Sequence, residues 1–314
     1  MQNETPFVAV IGGANIDIHG KSEQPLRLND SNPGTVITSA GGVARNVAEN
    51  LARLGVDCRL IAVIGDDDHG RMLTKLSREA GVDTRCLQQI AGGRTATYVA
   101  VINATGDMQV AIADMGIMDR LSVERLQPQQ TMLEQCNLIV LDSNLPADAL
   151  AWITGTINAV PIFADTVSTS KAPRLKRGLG AIHTLKTNTI EAEALTGDQA
   201  RTVPQLRRLA TRLHHQGVER VFVTRGDQGV FYSTGDTQGT SKLRPGKRQV
   251  ANASGAGDAF LAGLAYAWLQ NLSLPQTLRF ALTAADITLA NSSASSPALS
   301  LTAVTLAMEA RRAD

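Results

Sequence analysis

Short apolar segments alternate with helical segments along most of the chain, and this alternation limits the fold more than any other feature of the sequence. The apolar segments contain few polar residues, which is typical of strands buried on both faces of a sheet. The segments between them repeat apolar residues at helical spacing, as Val43, Val47 and Leu51 do. This order predicts an α/β fold with a mostly parallel central sheet and helices on both of its faces. The predicted strands are Phe7–Ile11, Arg59–Ile64, Leu138–Leu141, Pro161–Ala164, Thr184–Lys186, Val221–Thr224 and Val230–Tyr232. The predicted helices are Val43–Leu54, Gly70–Ala80, Ser122–Gln135, Pro146–Asn158, Pro204–Gln216, Asp258–Leu269 and Pro275–Ala290.

Two regions interrupt this rhythm. Residues 18–38 are mostly polar and contain a turn at Asp30–Gly34, whereas Thr95–Asn103 and Gln109–Ala113 have the character of strands joined by a hairpin. Neither region fits a doubly wound sheet. We therefore predict a single domain over residues 1–314 that carries a small β lid, formed by about 18–38 and 95–115.

Composition excludes several classes of function. The formal net charge of the 314 residues is +1, so neither a polyanionic partner nor an anionic membrane surface is indicated. No helix-turn-helix precedes the first strand, which argues against a DNA-binding regulator. The cysteines Cys58, Cys86 and Cys136 are isolated in sequence and fit reduced thiols. With no signal peptide and no membrane-spanning segment in the sequence, we expect a cytoplasmic protein.

The segment from Gly255 to Asp258 combines two features of phosphoryl transfer. It opens a helix with two glycines, and the first N–H groups of a helix have no partner within it. Glycines leave those groups uncovered, so the turn formed by Gly255, Ala256 and Gly257 can hold a phosphate. Asp258 can then accept the proton of an attacking hydroxyl. The alternative is an ordinary helix start with an aspartate at its cap.

Polar residues follow the first predicted strand at its carboxyl end, where open parallel sheets bind ligands. Asn15 and Asp17 face the same side of an extended segment and offer a donor and an acceptor to the hydroxyls of a sugar. A turn or capping role is the alternative for Asp17. Farther along, Gly41 and Gly42 open a helix that contains Asn46.

Together, the Gly-Gly-x-x-x-Asn segment ending at Asn46 and the Gly-Ala-Gly-Asp segment ending at Asp258 resemble the two signatures of the PfkB, or ribokinase-like, family of sugar and nucleoside kinases. The resemblance implies the ribokinase-like fold, ATP as phosphoryl donor and magnesium as cofactor. It also implies that Asp17, Gly42 and Asn46 hold ribose hydroxyls.

Three further segments acquire expected roles from the resemblance. Asn188 and Glu191 match the family's Asn-x-x-Glu motif, which implies that they organise magnesium and phosphate, with Glu191 acting through water. Thr224, Gly226 and Gly229 lie in a loop similar to the family's nucleotide loop, although a hairpin turn is the alternative. Lys186 points to the same edge and is expected to help neutralise phosphate, unless it is merely solvated. The alternative for the Asn188 segment is a helix start with Glu191 in its first turn.

A narrower resemblance links the chain to the pseudouridine kinases, a bacterial branch of this family. It rests on Gly13–Asp17, Asp30–Gly34, Ala111–Met115 and Ile182–Lys186. It implies 5'-phosphorylation of pseudouridine under the lid, where Ser31, Asn32 and Asp114 would contact the base. Asn252 and Ala253 stand where most of the family has Asp-Thr, so dependence on a monovalent cation stays open.

The alternatives within the family are a ribokinase, a fructokinase or a purine nucleoside kinase. A non-catalytic ligand sensor is an alternative of another class, although a sensor need not retain the base at Asp258. The strands of the lid have open edges, so a homodimer formed through the lid would be one way to cover them.

Overall fold

The computed structural model describes residues 6–243, 255–291 and 294–313. The strands of these residues form one sheet of nine strands and one of four. They are β1 (Val8–Ile11), β2 (Asn15–Ser22), β3 (Gly34–Gly41), β4 (Cys58–Gly65), β5 (Leu87–Ile90), β6 (Thr97–Ile102), β7 (Met108–Asp114), β8 (Leu138–Asp142), β9 (Ile162–Asp165), β10 (Thr184–Asn188), β11 (Arg220–Thr224), β12 (Val230–Ser233) and β13 (Gln238–Ser241). The helices are α1 (Val43–Arg53), α2 (Asp68–Glu79), α3 (Val123–Leu126), α4 (Gln130–Gln135), α5 (Ala147–Thr156), α6 (Thr189–Thr196), α7 (Val203–His215), α8 (Ala256–Leu269), α9 (Leu274–Leu289) and α10 (Leu301–Ala313).

The large sheet has the strand order β13-β12-β11-β10-β9-β8-β1-β4-β5. Neighbouring strands from β11 to β5 run parallel, and β12 and β13 continue the sheet in antiparallel fashion. Helices cover both faces, as β1 shows: Ala9 and Ile11 belong to one buried cluster, while Val8 and Val10 belong to the other. The predicted α/β architecture is confirmed. Within the described part of the chain, no helix combines the length and the apolar character that crossing a membrane requires.

The segment 122–135 differs from the single helix that its spacing predicts. It folds as α3 and α4, separated by a 3-10 turn at residues 127–129 that contains Pro128. Proline has no backbone N–H and cannot continue a helical hydrogen-bond ladder. Two edge strands, β5 and β13, were not predicted, because neither contains a continuous apolar run: β5 is Leu-Gln-Gln-Ile and β13 is Gln-Gly-Thr-Ser.

The small sheet has the order β3-β2-β6-β7 and includes both regions that were predicted to form a lid. It extends farther than the prediction, because β2 begins at Asn15 and β3 ends at Gly41. Three residues predicted to bind an acceptor, Asn15, Asp17 and Gly41, therefore lie on the strands of this sheet, close to the carboxyl end of β1.

Candidate active site

The N-terminus of α8 forms a turn that can bind an anion. Gly255 precedes the helix with a φ of 79°, and a Cβ atom on it would overlap the carbonyl oxygen of Ala294, so only glycine fits. Among the described residues, no side chain caps this helix. The backbone N–H groups of its first turn, from Ala256 to Asp258, can therefore be offered to an oxyanion.

Asp258 is buried in this first turn, with 7% of its surface exposed. One carboxylate oxygen accepts a 2.8 Å hydrogen bond from Nδ2 of Asn46, near the start of α1. Burial, followed by the negative charge of Asp165, raises the pKa of Asp258 to about 7, while Lys186 opposes the rise. A carboxyl group with a near-neutral pKa can accept and release a proton at physiological pH.

Three charged residues form a row at the carboxyl edge of the large sheet. In the strand register, Asp142 of β8 pairs with Asp165 of β9, which pairs with Lys186 of β10. Nζ of Lys186 donates a 2.8 Å hydrogen bond to Asp165, and a Cβ atom on Gly257 would lie 2.6 Å from that nitrogen. Burial alone would lower the pKa of Lys186, but the charges of Asp165 and Asp258 outweigh it and raise the pKa. A charged ammonium group therefore lies against the anion-binding turn.

Asp142 organises the start of α1. One of its oxygens accepts hydrogen bonds of 2.9 Å from the N–H groups of Gly13 and Ala44, and the other accepts one of 2.8 Å from Asn144. The residue before α1 is Gly42, which has no side chain to cap the helix. A carboxylate from a distant strand thus supplies the cap and fixes the loop after β1 against the helix.

The residues predicted to bind an acceptor come together around this junction. Nδ2 of Asn15 donates a 2.6 Å hydrogen bond to Asp17, and Gly41 lies so close to the Asp17 carboxylate that a Cβ atom would overlap it. Gly42 has a φ of 98°, and the N–H of Asn46 bonds to its carbonyl oxygen at 2.8 Å. Burial raises the pKa of Asp17 above its ordinary value. The cluster presents carboxylate and amide groups that suit sugar hydroxyls.

Side chains of the lid turn form hydrogen bonds with the backbone of the turn itself. Oδ1 of Asn32 accepts from the N–H of Arg27, and its Nδ2 donates to the carbonyl oxygens of Arg27 and Asp30. This amide thus holds the turn together, and the base contact predicted for Asn32 stays a prediction. Ser31 is exposed, and its backbone N–H bonds to the Asp30 carboxylate. Contact between Ser31 and a ligand stays a prediction.

Asp114 lies on the face of the small sheet opposite to Asp17. In the register, Asp17 pairs with Tyr98, which pairs with Ala113, so these three share one face. Asp114 is the next residue along β7, and side chains alternate between faces. It forms an ion pair with Arg94 at 3.0 Å. Contact between Asp114 and a base stays a prediction, and it would take place on the face opposite to Asp17.

A cleft of about 580 Å³ lies beside the carboxyl ends of β10 and β11. Its lining includes Asn188, Thr224 and Gly226, as predicted for a nucleotide site, together with Arg201 and Arg225. The hydroxyl of Thr224 donates to the carbonyl oxygen of Thr187 at 3.2 Å, which ties the two strand ends together. The cleft thus carries two cations, which suit a phosphate-bearing ligand, and one carboxylate, Glu193, which lies 3.9 Å from Arg201.

Gly229, also predicted in the nucleotide site, has a different place. It has a φ of 79°, and a Cβ atom there would overlap the carbonyl oxygen of Ser241 in β13. It is not among the residues that line the cleft. Gly229 therefore permits the close approach of β12 and β13, and its predicted role in nucleotide binding stays a prediction.

Glu191 and Asn188 form a capping box at the start of α6. Oε1 of Glu191 accepts a 2.7 Å hydrogen bond from Nδ2 of Asn188, and Oε2 accepts one of 2.6 Å from the hydroxyl of Thr166. Because both oxygens already have protein donors, this carboxylate suits a hydrated Mg²⁺ better than direct coordination. In the described ranges, no group of three or more His, Cys, Asp or Glu residues is arranged to hold a metal.

Three residues of this region were missed by sequence analysis: Asp142, Asp165 and Thr166. Asp142 and Asp165 each end a short apolar strand, and the rule that ligands bind beyond the carboxyl ends of parallel strands is the signal that points to them. Nothing in their sequence spacing shows that they are neighbours. Their proximity comes from the pairing of β8 with β9.

Comparison with known proteins shows similarity over almost the full chain. A family model described as pfkB family carbohydrate kinase matches residues 5–301. The chain is 36% identical to the pseudouridine kinase of Escherichia coli over 299 residues, which cover 95% of both chains. It is 37% identical to an uncharacterised sugar kinase of the same species, covering 95% of this chain and 82% of that one.

Solved structures agree with this similarity. A carbohydrate kinase from Agrobacterium tumefaciens is 32% identical, with a TM-score of 0.84 over 97% of each chain. The ribokinase of Arabidopsis thaliana, complexed with ribose and ATP, has a TM-score of 0.87 and covers 98% of this chain and 99% of that one. Because the Arabidopsis ribokinase is only 23% identical to this chain, its similarity concerns the fold alone.

Proposed function

The chain belongs to the pfkB family of carbohydrate kinases, and we propose that it transfers the γ-phosphoryl group of ATP to the 5'-hydroxyl of pseudouridine. The products would be pseudouridine 5'-phosphate and ADP. Membership of the family makes the chain a sugar or nucleoside kinase, a phosphotransferase with an alcohol acceptor. The identity of that alcohol is the proposal.

The observation that carries the proposal is the position of Asp258 between two binding regions. It belongs to the anion-binding turn of α8 and also accepts a hydrogen bond from Asn46, at 2.8 Å. Asn46 adjoins the acceptor cluster that contains Asp17. A hydroxyl held by this cluster would be close to a buried base. Asp258 takes the proton from that hydroxyl as its oxygen attacks phosphorus.

The surrounding residues stabilise the charge that moves during transfer. The N–H groups that follow Gly255 and the ammonium group of Lys186 are fixed before the reaction begins, so they need no reorganisation. Asp165 holds that ammonium group against the turn. Glu191 would hold Mg²⁺ through water, and the ion would supply positive charge to the phosphate oxygens.

We assign the four-stranded sheet the role of a lid on a single domain that spans residues 1–314. Two of its strands carry Asp17 and Gly41, so closing it would bring the acceptor cluster to the base and exclude water. Water would otherwise compete as the acceptor and make the enzyme an ATPase.

Support for pseudouridine comes from similarity to the E. coli pseudouridine kinase, which covers 95% of both chains. The segments Gly13–Asp17 and Ile182–Lys186 also resemble that branch of the family. The lid residue Ser31 remains a candidate contact for the base. Asn32 and Asp114 also remain candidates, although each side chain would have to exchange an exposed partner for the base.

The test is a panel of acceptors with ATP, Mg²⁺ and coupled detection of ADP. We expect kcat/KM for pseudouridine to exceed the values for ribose, fructose, uridine and adenosine. A preference for ribose, fructose or a purine nucleoside would overturn the assignment and leave the family intact. A non-catalytic sensor would bind a nucleoside in calorimetry without forming ADP from any acceptor.

The small sheet also suggests a homodimer. Four exposed apolar side chains lie on the face opposite to Asp17, namely Val36, Val99, Val110 and Ile112. We propose that a second copy covers them, since an exposed apolar patch on a sheet with open edges favours association. Sedimentation equilibrium should show a dimer that Ile112→Lys weakens. A monomeric native protein would exclude this arrangement.

A further inference from the structure

Arg45 is a buried cation that the proposed chemistry leaves without a role. It is 4% exposed, and its Nη1 donates hydrogen bonds to the carbonyl oxygen of Ala40 at 3.1 Å and to Oδ1 of Asn46 at 3.3 Å. Its Nη2 forms an ion pair with Glu49. A buried guanidinium group is costly unless it is paired. Here Glu49 supplies the opposite charge, and Nη1 remains to donate to the Ala40 carbonyl and the Asn46 amide.

The contact with Arg45 decides how the Asn46 amide is oriented. A guanidinium group only donates, and it does not lose its proton in proteins, so the amide must turn its oxygen toward Arg45. The nitrogen then points to Asp258, to which it donates at 2.8 Å. The hydroxyl of Ser295 also donates to Oδ1 of Asn46, at 3.3 Å. A hydroxyl can either donate or accept, whereas a guanidinium group only donates, so Arg45 selects the orientation more strictly than a hydroxyl does.

We propose that Arg45 is a positioning residue for the catalytic carboxyl and acts through the amide of Asn46. The proposal rests on the proposed function in one respect, namely that Asp258 is the base. Arg45 keeps a hydrogen-bond donor directed at Asp258, and this donor favours the ionised form that the base needs. Without Arg45, the amide can rotate, and its oxygen can then accept a hydrogen bond from the protonated carboxyl of Asp258.

The same guanidinium group joins the acceptor cluster to the base. Ala40 lies in β3, directly before Gly41, which adjoins Asp17. The bonds from Arg45 to Ala40 and to Asn46 therefore connect a lid strand with the residue that contacts Asp258. Glu49 holds Arg45 in place and in turn accepts bonds of 2.9 and 2.7 Å from Arg53.

The proposal predicts a shift in the ionisation of Asp258. The charged residues that act on its carboxyl are Asp165 and Asp142, which raise its pKa, and Lys186, which lowers it. Substitution of Arg45 leaves all three in place. The hydrogen bond from Asn46 lowers the pKa, so its loss raises the pKa, and activity requires a higher pH.

The test is a carboxyl ¹³C NMR titration of the unliganded enzyme, in which Asp258→Asn assigns the resonance. We expect Arg45→Met to raise the pKa of Asp258 by roughly one pH unit. In an Asn46→Ala background, Arg45→Met should cause no further rise, because the amide through which it acts is gone. Arg53→Gln removes a cation from the same network without touching Asn46, and we expect it to leave the titration unchanged.

Kinetics provide a second measurement. In Arg45→Met, the acid limb of the plot of kcat against pH should shift to higher pH, while the KM for ATP stays constant. Arg45→Lys keeps the charge but is a single point donor, and we expect it to restore folding fully and the titration only in part. An unchanged titration in Arg45→Met would overturn the proposal, as would an equal shift in the Asn46→Ala background. Because the titration needs no acceptor, an inactive acceptor panel would refute the proposed function and leave this test valid.

Discussion

Replacing the base should make the folded protein more stable while it disables the enzyme. Asp258→Asn exchanges a buried carboxylate for a neutral amide of the same shape. The amide oxygen of the variant can still accept the hydrogen bond from Asn46. We therefore expect turnover to fall by about a hundredfold or more, because the base is lost, and the free energy of unfolding at pH 8 to rise.

The size of the rise follows from the pKa. That of Asp258 is raised from the ordinary 3.8 to about 7, first by burial and then by the charge of Asp165. A difference of about three pH units, at about 1.4 kcal/mol each, corresponds to about 4 kcal/mol for ionising this group within the fold. The attraction of Lys186 is already included in that pKa. We expect the variant to recover about 2–4 kcal/mol at pH 8.

The gain should depend on pH in a defined way. Below about pH 4 the carboxyl is protonated in both the folded and the unfolded protein, so it contributes no pH-dependent difference. Between about 4 and 7 the folded protein keeps a proton that the unfolded chain releases. Over this range the native enzyme should lose about 1.4 kcal/mol of stability per pH unit relative to the variant. Above pH 7 the difference is constant.

Urea unfolding at pH 5 and pH 8, followed by circular dichroism, measures the stability gained by the variant at pH 8 and the change of that gain with pH. The matched control is Asp148→Asn, which removes a carboxylate that is exposed and paired with Arg177. That control should change stability by less than about 1 kcal/mol at either pH. The reasoning is refuted if Asp258→Asn is no more stable than the native enzyme at pH 8, or if its gain is the same at both pH values.

Three further predictions concern the surrounding site. Gly257→Ala would place a methyl group 2.6 Å from Nζ of Lys186, so we expect turnover to fall by roughly tenfold or more. The control Gly155→Ala, whose methyl group meets no atom within 4 Å, should stay active. Equal turnover in the two variants would contradict a role for Lys186 beside the anion-binding turn. Glu191→Gln keeps a side chain that can form the capping box but removes the negative charge. We therefore expect half-maximal activity to need severalfold more Mg²⁺. An unchanged dependence of activity on Mg²⁺ would exclude a metal-binding role for Glu191. Gly41→Ala would force a methyl group into the carboxylate of Asp17. In initial-rate kinetics, we expect the KM for the acceptor to rise more than the KM for ATP. A larger rise in the KM for ATP would show that the cluster does not bind the acceptor.

The architecture was predictable because each central strand is buried on both faces. In β1, alternate residues enter opposite cores, and this leaves a short, continuous apolar run in the sequence. The edge strand β13 has the sequence Gln-Gly-Thr-Ser and leaves no such signal. The break between α3 and α4 had a signal in Pro128, which the helical spacing of the neighbouring residues obscured.

The parts of the site that are local in sequence were also predictable. Gly255–Asp258 and Asn188–Glu191 each place a turn and its chemistry within a few residues at the start of a helix. The orientation of lid residues was not predictable, because a shift of one residue in strand pairing moves a side chain to the other face. Asp114 illustrates this: only the pairing of β6 with β7 shows that it faces away from Asp17.

Asp165 has two effects on the proposed reaction, and they depend on each other. Its charge raises the pKa of Asp258 toward neutrality, and its carboxylate holds the ammonium group of Lys186 beside Gly257. Lys186 alone would favour the ionised base, whereas Asp165 alone would favour the protonated one. The adjacent positions of these two residues in the register of β9 and β10 therefore allow one site to combine a basic carboxylate with a fixed positive charge. That combination is what attack of an alcohol on a phosphoryl group requires, since one group must take the proton while another offsets the charge on the phosphate.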